Sequence, residues 1–200
     1  MTAQRSGKLP RKVRIIAGRW RRRQLSVLPC PGLRPTPDRV RETLFNWISG
    51  ELQGAACLDL YAGTGALGFE AASRGAEKVV MVERNANLAR HLRAQAHALG
   101  ANMVQVVCAD AAHWLTHASE CFDLVFIDPP YGETDLPSLM NALRRHGCVN
   151  AASKVYAEAA ADDASPVFPD GWSLLRDKRA GRVRYYLAAP IDVDCYQERP

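Results

Sequence analysis

No run of this 200-residue chain approaches the roughly 18 to 20 consecutive apolar residues that cross a bilayer. No apolar stretch follows its basic, polar start as it would in a secretion signal, so a cytoplasmic protein is the expectation. Six cysteines are present, but Cys30, Cys57, Cys108, Cys121, Cys148 and Cys195 lack paired spacing and have no histidine at ligand distance. That pattern excludes a zinc module and a disulfide framework, and it predicts buried thiols and no metal site. Internal repeats and low-complexity segments are absent as well. Histidine is missing around the apolar stretch 122–131, which leaves any chemistry there without an imidazole base.

What the chain does contain is core-forming material: 48% of its residues are hydrophobic, enough for one main domain carrying a small extension. Its net charge of +5 conceals an asymmetry. Residues 1–50 hold 12 Lys/Arg against Asp38 and Glu42, a net of +10, and the rest carries 14 basic and 19 acidic side chains, a net of −5. A basic segment on a mildly acidic body is the electrostatic footprint of a nucleic-acid contact. The plainer alternative is a solvated basic tail.

Val13 to Ala17 and Arg21 to Val27 read as two strands around Gly18-Arg19-Trp20, a small hairpin that fixes its arginines in space. Trp20 among them offers a face for stacking. Arg14, Arg19, Trp20, Arg21, Arg22, Arg23 and Arg34 form the predicted RNA-binding set, in a first unit spanning 1–35. The second unit, 36–200, begins after the prolines at 29, 31, 35 and 37. A helix starts at Asp38, as N-cap or first-turn acid, with Val40, Leu44, Trp47 and Ile48 along one stripe.

From Ala56 onward, strands alternate with helices. Cys57 to Tyr61, Val79 to Val82, Val104 to Cys108, Phe122 to Ile127 and Val155 to Ala159 read as strands. Helices are predicted through about Ser73, over Asn85 to Leu99, Ala111 to His117 and Leu136 to Arg145. Trp172 to Asp177 and Arg182 to Leu187, joined by residues 178–181, close the chain as an antiparallel pair. The pattern predicts an α/β, doubly wound, mostly parallel seven-stranded sheet with a small N-terminal β-hairpin extension, its ligand crevice lying beyond the carboxyl ends of the strands.

Asp59, Glu83, Asp110 and Asp128 all fall at such ends. Gly63-Thr64-Gly65-Ala66-Leu67-Gly68 fits G-x-G-x-x-G, a pattern shared with dinucleotide sites. Asp59, four positions ahead of Gly63, is a poor neighbour for a pyrophosphate and a good one for a cationic ligand end. S-adenosylmethionine carries an ammonium and a sulfonium and no phosphate, so three acids in consecutive crevice positions favour it. Glu83 suits ribose hydroxyls and Asp110 an adenine amino group, although Asp110 is equally placed to cap the next helix.

Phe122-Asp-Leu-Val-Phe-Ile-Asp-Pro-Pro-Tyr131 is a buried strand that stops at an acid, two prolines and an aromatic. The prolines donate no N–H and fix φ, leaving Asp128 and the adjacent carbonyls as acceptors, with Tyr131 as a flat plate. This suits a planar base bearing an amino group; an ordinary Asp-Pro turn is the structural alternative.

With Asp59-Leu60-Tyr61-Ala62-Gly63-Thr64-Gly65 upstream of Asp128-Pro129-Pro130-Tyr131, the chain resembles the class I S-adenosylmethionine-dependent amino methyltransferases, whose fold is Rossmann-like. Three further segments narrow the likeness: Arg14-Ile-Ile-Ala-Gly-Arg-Trp-Arg21, Gly32-Leu-Arg-Pro-Thr36 and Asp38-Arg-Val-Arg-Glu-Thr-Leu-Phe-Asn-Trp47. On them the chain is similar to the bacterial 16S rRNA (guanine-N2)-methyltransferase (RsmD-like) family. The resemblance implies that Asp59, Gly63 and Gly65 contact the methionine part of S-adenosyl-L-methionine, Glu83 its ribose and Asp110 its adenine. Tyr61, Thr64, Arg84 and Ala111 complete that set. It further implies that Asp128, Pro129, Pro130 and Tyr131 hold the target guanine, and that the partner is 16S ribosomal RNA, alone or within a small subunit, with the enzyme a monomer. Rival readings are an N6-adenine methyltransferase, which the lack of a separate target-recognition domain opposes, a non-catalytic RNA-binding protein on the same fold, and a nicotinamide-dependent reductase, which Asp59 opposes.

Overall fold

The computed structural model describes residues 12–31, 33, 35–130, 135–161 and 168–191; Arg34 and Tyr131 lie outside them. A two-stranded antiparallel hairpin of β1 (Lys12–Arg14) and β2 (Gln24–Ser26) comes first. Then follow α1 (Asp38–Trp47), β3 (Ala56–Asp59), α2 (Ala66–Ser73), β4 (Lys78–Glu83), α3 (Ala86–Leu99), β5 (Val104–Cys108) and α4 (Ala111–Leu115). The chain continues with β6 (Leu124–Ile127), α5 (Leu136–Arg145), β7 (Lys154–Ala160), β8 (Trp172–Ala180) and β9 (Val183–Pro190). The seven strands from β3 onward form one sheet in the order β5-β4-β3-β6-β7-β9-β8. Neighbours from β5 through β7 are parallel, and β9 pairs antiparallel with both β7 and β8. The doubly wound fold is as expected. Strand order reverses between β3 and β6, the switch point at which such sheets bind ligands.

Period-two alternation sorts the strands onto two cores. On β6, Leu124 and Phe126 join one cluster with Cys57, Met81, Tyr156 and Tyr185, covered by the hairpin and residues of α1, α2 and α3. Val125 and Ile127 join the other, under α4 and α5. Asp59, Asp128 and Glu158 continue the first series by two residues, so all three carboxylates stand on the hairpin side of the sheet.

Local signals set the helix ends. The Asn85 side chain accepts from the N–H groups of Asn87 and Leu88 to open α3, and Gly100, at φ 65°, closes it in the left-handed conformation. Asp135 caps α5, with Pro137 in its first turn. Asp38 is the first-turn acid of α1, after Pro37 at the N-cap.

Three expectations need correction. Trp20 is not a free stacking face: it is 6% exposed, packed in the core with Val13, Ile15 and Leu25, its backbone N–H bound to Ser73 Oγ at 2.9 Å. An indole among arginines buries its large apolar surface when a core lies within reach. The thiols are not uniformly buried, since Cys108 and Cys121 are exposed. The β8–β9 turn is two residues, Gly181 and Arg182, shorter than the four expected, because cross-strand pairing runs up to Ala180 opposite Val183.

The hairpin is pinned at its tip. Gly18 has φ 79°, and a β-carbon there would stand 1.8 Å from the Ser73 carbonyl oxygen, so only glycine fits. Ser73 ends α2, an eight-residue helix about 12 Å long whose start faces the crevice. Arg19, Arg21, Arg22 and Arg23 are exposed at this tip, toward the opposite end of the sheet from the crevice.

Candidate active site

Asp59 and Glu83 each accept from a backbone amide of the glycine loop. Asp59 ends β3, is 1% exposed, and its Oδ2 accepts from Gly68 N–H at 3.0 Å. Burial pushes its pKa up to about 7; the Gly68 hydrogen bond opposes this, and nearby Asp128 and Glu83 add to the rise. Glu83, at the end of β4, accepts from Gly63 N–H through Oε2 at 2.9 Å and from Asn85 N–H through Oε1 at 2.7 Å.

This geometry bears on the choice between the two cofactor classes. A dinucleotide site uses the free amides of the glycine loop to bind pyrophosphate. Here two of those amides, Gly63 and Gly68, already donate to carboxylates, and their anionic partners would repel a phosphate. A phosphate-free ligand with a cationic end fits the same donor set: Asp59 gains a counter-ion, and each Glu83 oxygen keeps a lone pair for a hydroxyl. Gly65 at φ 75° and Gly63 at φ 51° carry the chain through the tight turn before α2. Thr64 Oγ1 accepts from Ala66 N–H at 3.3 Å and braces the loop. Tyr61 is half-buried beside it, and Arg84 is exposed after Glu83. Asp110 is exposed and caps α4, accepting from His113 N–H at 3.0 Å, with Ala111 buried as the first helical residue.

One strand over, Asp128 follows β6. Its Oδ2 accepts from Thr36 Oγ1 at 3.0 Å, and burial pushes its pKa up to about 6, against the lowering effect of that hydrogen bond. Pairing of Ile127 with Ala157 sets Glu158 of β7 level with Asp128. Glu158 is 5% exposed and accepts from Tyr156 Oη at 2.8 Å. Burial first, then the neighbouring Asp128 charge, pushes its pKa well above the carboxylate range, and a hydrogen bond with Thr36 offsets part of this. One hydroxyl proton cannot serve two anions. The consistent arrangement has Glu158 protonated and donating to Thr36, and Thr36 donating to an ionised Asp128.

The comparisons with known proteins agree with this geometry. The family described as Conserved hypothetical protein 95 matches residues 13–189. Ribosomal RNA small subunit methyltransferase D of Escherichia coli is 40% identical over 176 residues, covering 88% of this chain and 89% of that protein. The Haemophilus influenzae protein of the same name is 38% identical over 180 residues, covering 88% and 93%. A solved structure of Escherichia coli yhhF has a TM-score of 0.80 at 39% identity, covering 90% of this chain and 98% of that one. The chain belongs to the RsmD methyltransferase family.

Within this RsmD-family chain, the fold brings the strand-end acids Asp59 and Glu83 around the loop of Gly63, Thr64 and Gly65 and places Asp128, Pro129 and Pro130 at the adjacent strand end. It does not bring Arg19, Arg21, Arg22 and Arg23 to the crevice, and it sequesters Trp20. Arg14 pairs with Asp38 at 3.1 Å.

Four residues that the sequence did not single out also shape the site. Thr36 and Glu158 flank Asp128. Behind them Arg41 and Glu70, both 0% exposed, form a buried ion pair at 3.7 Å. Glu70 accepts from the N–H groups of Ile16 and Ala17 at 2.7 and 3.0 Å and from Arg74 Nε at 2.7 Å. Arg41 donates to the Arg14 carbonyl at 2.9 Å, to Asp38 at 2.6 Å and to the Thr36 carbonyl at 3.3 Å. The network ties the hairpin, α1 and α2 to the segment that presents Thr36 to Asp128. Arg41 and Glu42 sit in one charged run, and charge runs read as surface; only the buried stripe Val40, Leu44 and Phe45 beside Arg41 hints otherwise.

Proposed function

We propose that this protein transfers a methyl group from S-adenosyl-L-methionine to the exocyclic N2 amino group of a guanine in small-subunit (16S) ribosomal RNA. The observation that carries the reading is the pairing of two carboxylate-occupied amides in the glycine loop with an acceptor-only strand end at Asp128, Pro129 and Pro130. The named activity of relatives at 38% and 40% identity supports rRNA as the substrate class. Asp59 with Gly63 and Gly65 holds the methionine end of the cofactor, Glu83 the ribose and Asp110 with Ala111 the adenine, with Tyr61, Thr64 and Arg84 around them.

The bound cofactor supplies an electrophilic methyl group; the residues supply position and acceptors. The guanine amino lone pair is delocalised into the ring, so the amino group is a weak nucleophile. An ionised Asp128 and the Pro129 carbonyl accept its two N–H bonds and turn the lone pair toward the crevice, a contribution that grows as the nitrogen becomes tetrahedral. One N2 proton then leaves through Asp128, or to water after transfer, and the nitrogen ends neutral with one hydrogen and one methyl. No histidine is required. Pro130 fixes the turn, and Tyr131, by its position in the motif, stacks on the base.

The test is transfer in vitro: purified protein, isotopically labelled S-adenosylmethionine and small subunits lacking the modification, with RNA digested to nucleosides. Label in N2-methylguanosine is the expected result. Label in N6-methyladenosine overturns the guanine assignment, and no label in any nucleoside overturns the enzymatic reading.

A further inference from the structure

The arginines at the tip of the N-terminal hairpin, Arg19, Arg21, Arg22 and Arg23, lie toward the wrong end of the sheet to hold RNA at the target base, whereas a second basic cluster, at the tip of the β8–β9 hairpin, stands on the crevice side. Arg176, Lys178, Arg179 and Arg182 are exposed there, and Arg184 pairs across the ladder with Asp177, its Nε 2.9 Å from Oδ1. Five basic residues and one acid over 176–184 give a local net of +4 in the part of the chain that is otherwise net acidic.

Register fixes the placement. Glu158 pairs with Tyr185, and Tyr185 pairs with Lys178, so Asp128, Glu158, Tyr185 and Lys178 form one row across four adjacent strands. Tyr185 packs with Tyr156 in the first core, which puts Lys178 on the sheet face that bears Asp128 and Glu158. At about 4.8 Å per strand, the Lys178 backbone lies about 14 Å from that of Asp128, within a few nucleotides along an RNA strand. The turn extends further. Ala160 pairs with Val183, and Ala161 N–H donates to the Arg182 carbonyl at 3.0 Å, so Gly181 and Arg182 rise at least two residues, about 7 Å, beyond the level of Asp128. The cluster is therefore a rim of the crevice. It is also ordered in advance: the turn is a two-residue connection with Gly181 at φ 62°, and Arg179 Nε donates to the Gly181 carbonyl at 3.2 Å.

We infer that the β8–β9 tip, through Lys178, Arg179 and Arg182, is an RNA phosphate-binding element that grips the strand flanking the target base, separate from the N-terminal hairpin. The inference rests on the RNA methyltransferase reading and adds to it the surface that holds substrate at the crevice. Charge complementarity selects the occupant, because a raised cluster of lysine and arginine beside a base-sized acceptor site matches a polyanion threaded past that site.

The experiment compares the parent with the triple variant Lys178→Ala, Arg179→Ala, Arg182→Ala. Equilibrium binding to protein-free 16S rRNA across a salt series gives the affinity and the log-log slope, and single-turnover methylation of small subunits gives the rate at low and saturating RNA. The expected result is a slope smaller by about 0.7 to 0.9 for each lost phosphate contact, with affinity down roughly tenfold or more. Methylation falls at low RNA and recovers at saturation, and cofactor affinity and thermal midpoint are unchanged. Arg19→Ala, Arg21→Ala, Arg22→Ala, Arg23→Ala combined serves as the comparison, and a loss confined to that variant overturns the inference. So does a triple variant with the parent's slope and affinity. Lysine or arginine restored at the three positions in exchanged identity should recover binding, which separates a charge effect from damage to the hairpin. A parent that binds no RNA overturns this inference and the proposed function together, whereas a parent that binds and methylates beside an unaffected triple variant overturns this inference alone.

Discussion

Thr36 and Asp128 stand 92 positions apart in the chain and meet through one hydroxyl-to-carboxylate hydrogen bond of 3.0 Å. The loop that carries Thr36 is in turn held by Arg41, whose Nε donates to the Thr36 carbonyl. The proposed base-binding acid is thus oriented from outside its own strand. Thr36→Val, close in shape and without the hydroxyl, should lower single-turnover methyl transfer by about ten- to a hundredfold, the cost of about 1.5 to 3 kcal/mol for a lost hydrogen bond to a charged group. Cofactor affinity should stay at the parental value, and titration calorimetry alongside rapid-quench kinetics checks both halves.

Glu158 provides a sharper test of the proton arrangement. A protonated Glu158 donates to Thr36 and accepts from Tyr156, and glutamine can do the same with its amide. Glu158→Gln should keep transfer within a few-fold (~3) of the parent, whereas Glu158→Ala, which leaves the buried Tyr156 hydroxyl unpartnered, should lose about tenfold or more and destabilise the fold by about 1 to 3 kcal/mol. A dead Glu158→Gln enzyme of normal stability would mean that Glu158 works as an anion.

The pH dependence follows from the raised carboxyl groups. Asp128 must be ionised to accept from an amino group, so the transfer rate should climb as pH rises through about 6. Asp59 titrates near 7 in the ligand-free protein. A cationic ligand favours its charged form, so S-adenosylmethionine should bind more tightly as pH rises through 7, releasing a proton. Stability without ligand should move the other way. A folded-state pKa above the unfolded value contributes stability that is present below about 3.9 and is lost as pH rises through the folded values near 6 and 7. Calorimetry in buffers of different ionisation enthalpy measures the released proton, and Asp59→Asn should abolish it.

The buried pair Arg41 and Glu70 holds the hairpin to the domain. Removing one partner leaves an uncompensated buried charge, and Glu70→Ala also strands the amides of Ile16 and Ala17. A loss of about 3 to 5 kcal/mol in unfolding free energy is expected. A denaturant series reads it directly, and an unchanged midpoint would show that the network does not clamp the hairpin.

Asp59, Glu83 and Asp128 were legible in the sequence because apolar runs ending in an acid, with a glycine loop after the first, report strand ends and the crevice they share. Asp110 was legible both as a helix cap and as an adenine acceptor; the structure shows the cap, and the adenine contact belongs to the proposal. Thr36 and Glu158 were not legible, because their relation to Asp128 arises from one inter-strand register and one loop crossing. Local pattern encodes neither. Trp20 misled because its arginine neighbours point to surface, while Val13, Ile15 and Leu25 turn the same hairpin inward onto α2. The β8–β9 turn was displaced by two residues because Lys178 and Arg179 resemble turn residues yet continue the ladder to Ala180.

The central claim is that Asp128 aligns a guanine amino group of small-subunit rRNA for methyl transfer. The most direct measurement is a nucleoside mass map of 16S rRNA from cells lacking the protein, complemented with the parent or with Asp128→Ala. The account predicts N2-methylguanosine at one position restored by the parent and absent with Asp128→Ala, whose purified form binds S-adenosylmethionine normally and transfers on the order of 10²-fold or more slowly. Full restoration by Asp128→Ala, or restoration of a methylated adenine in place of a guanine, would contradict it.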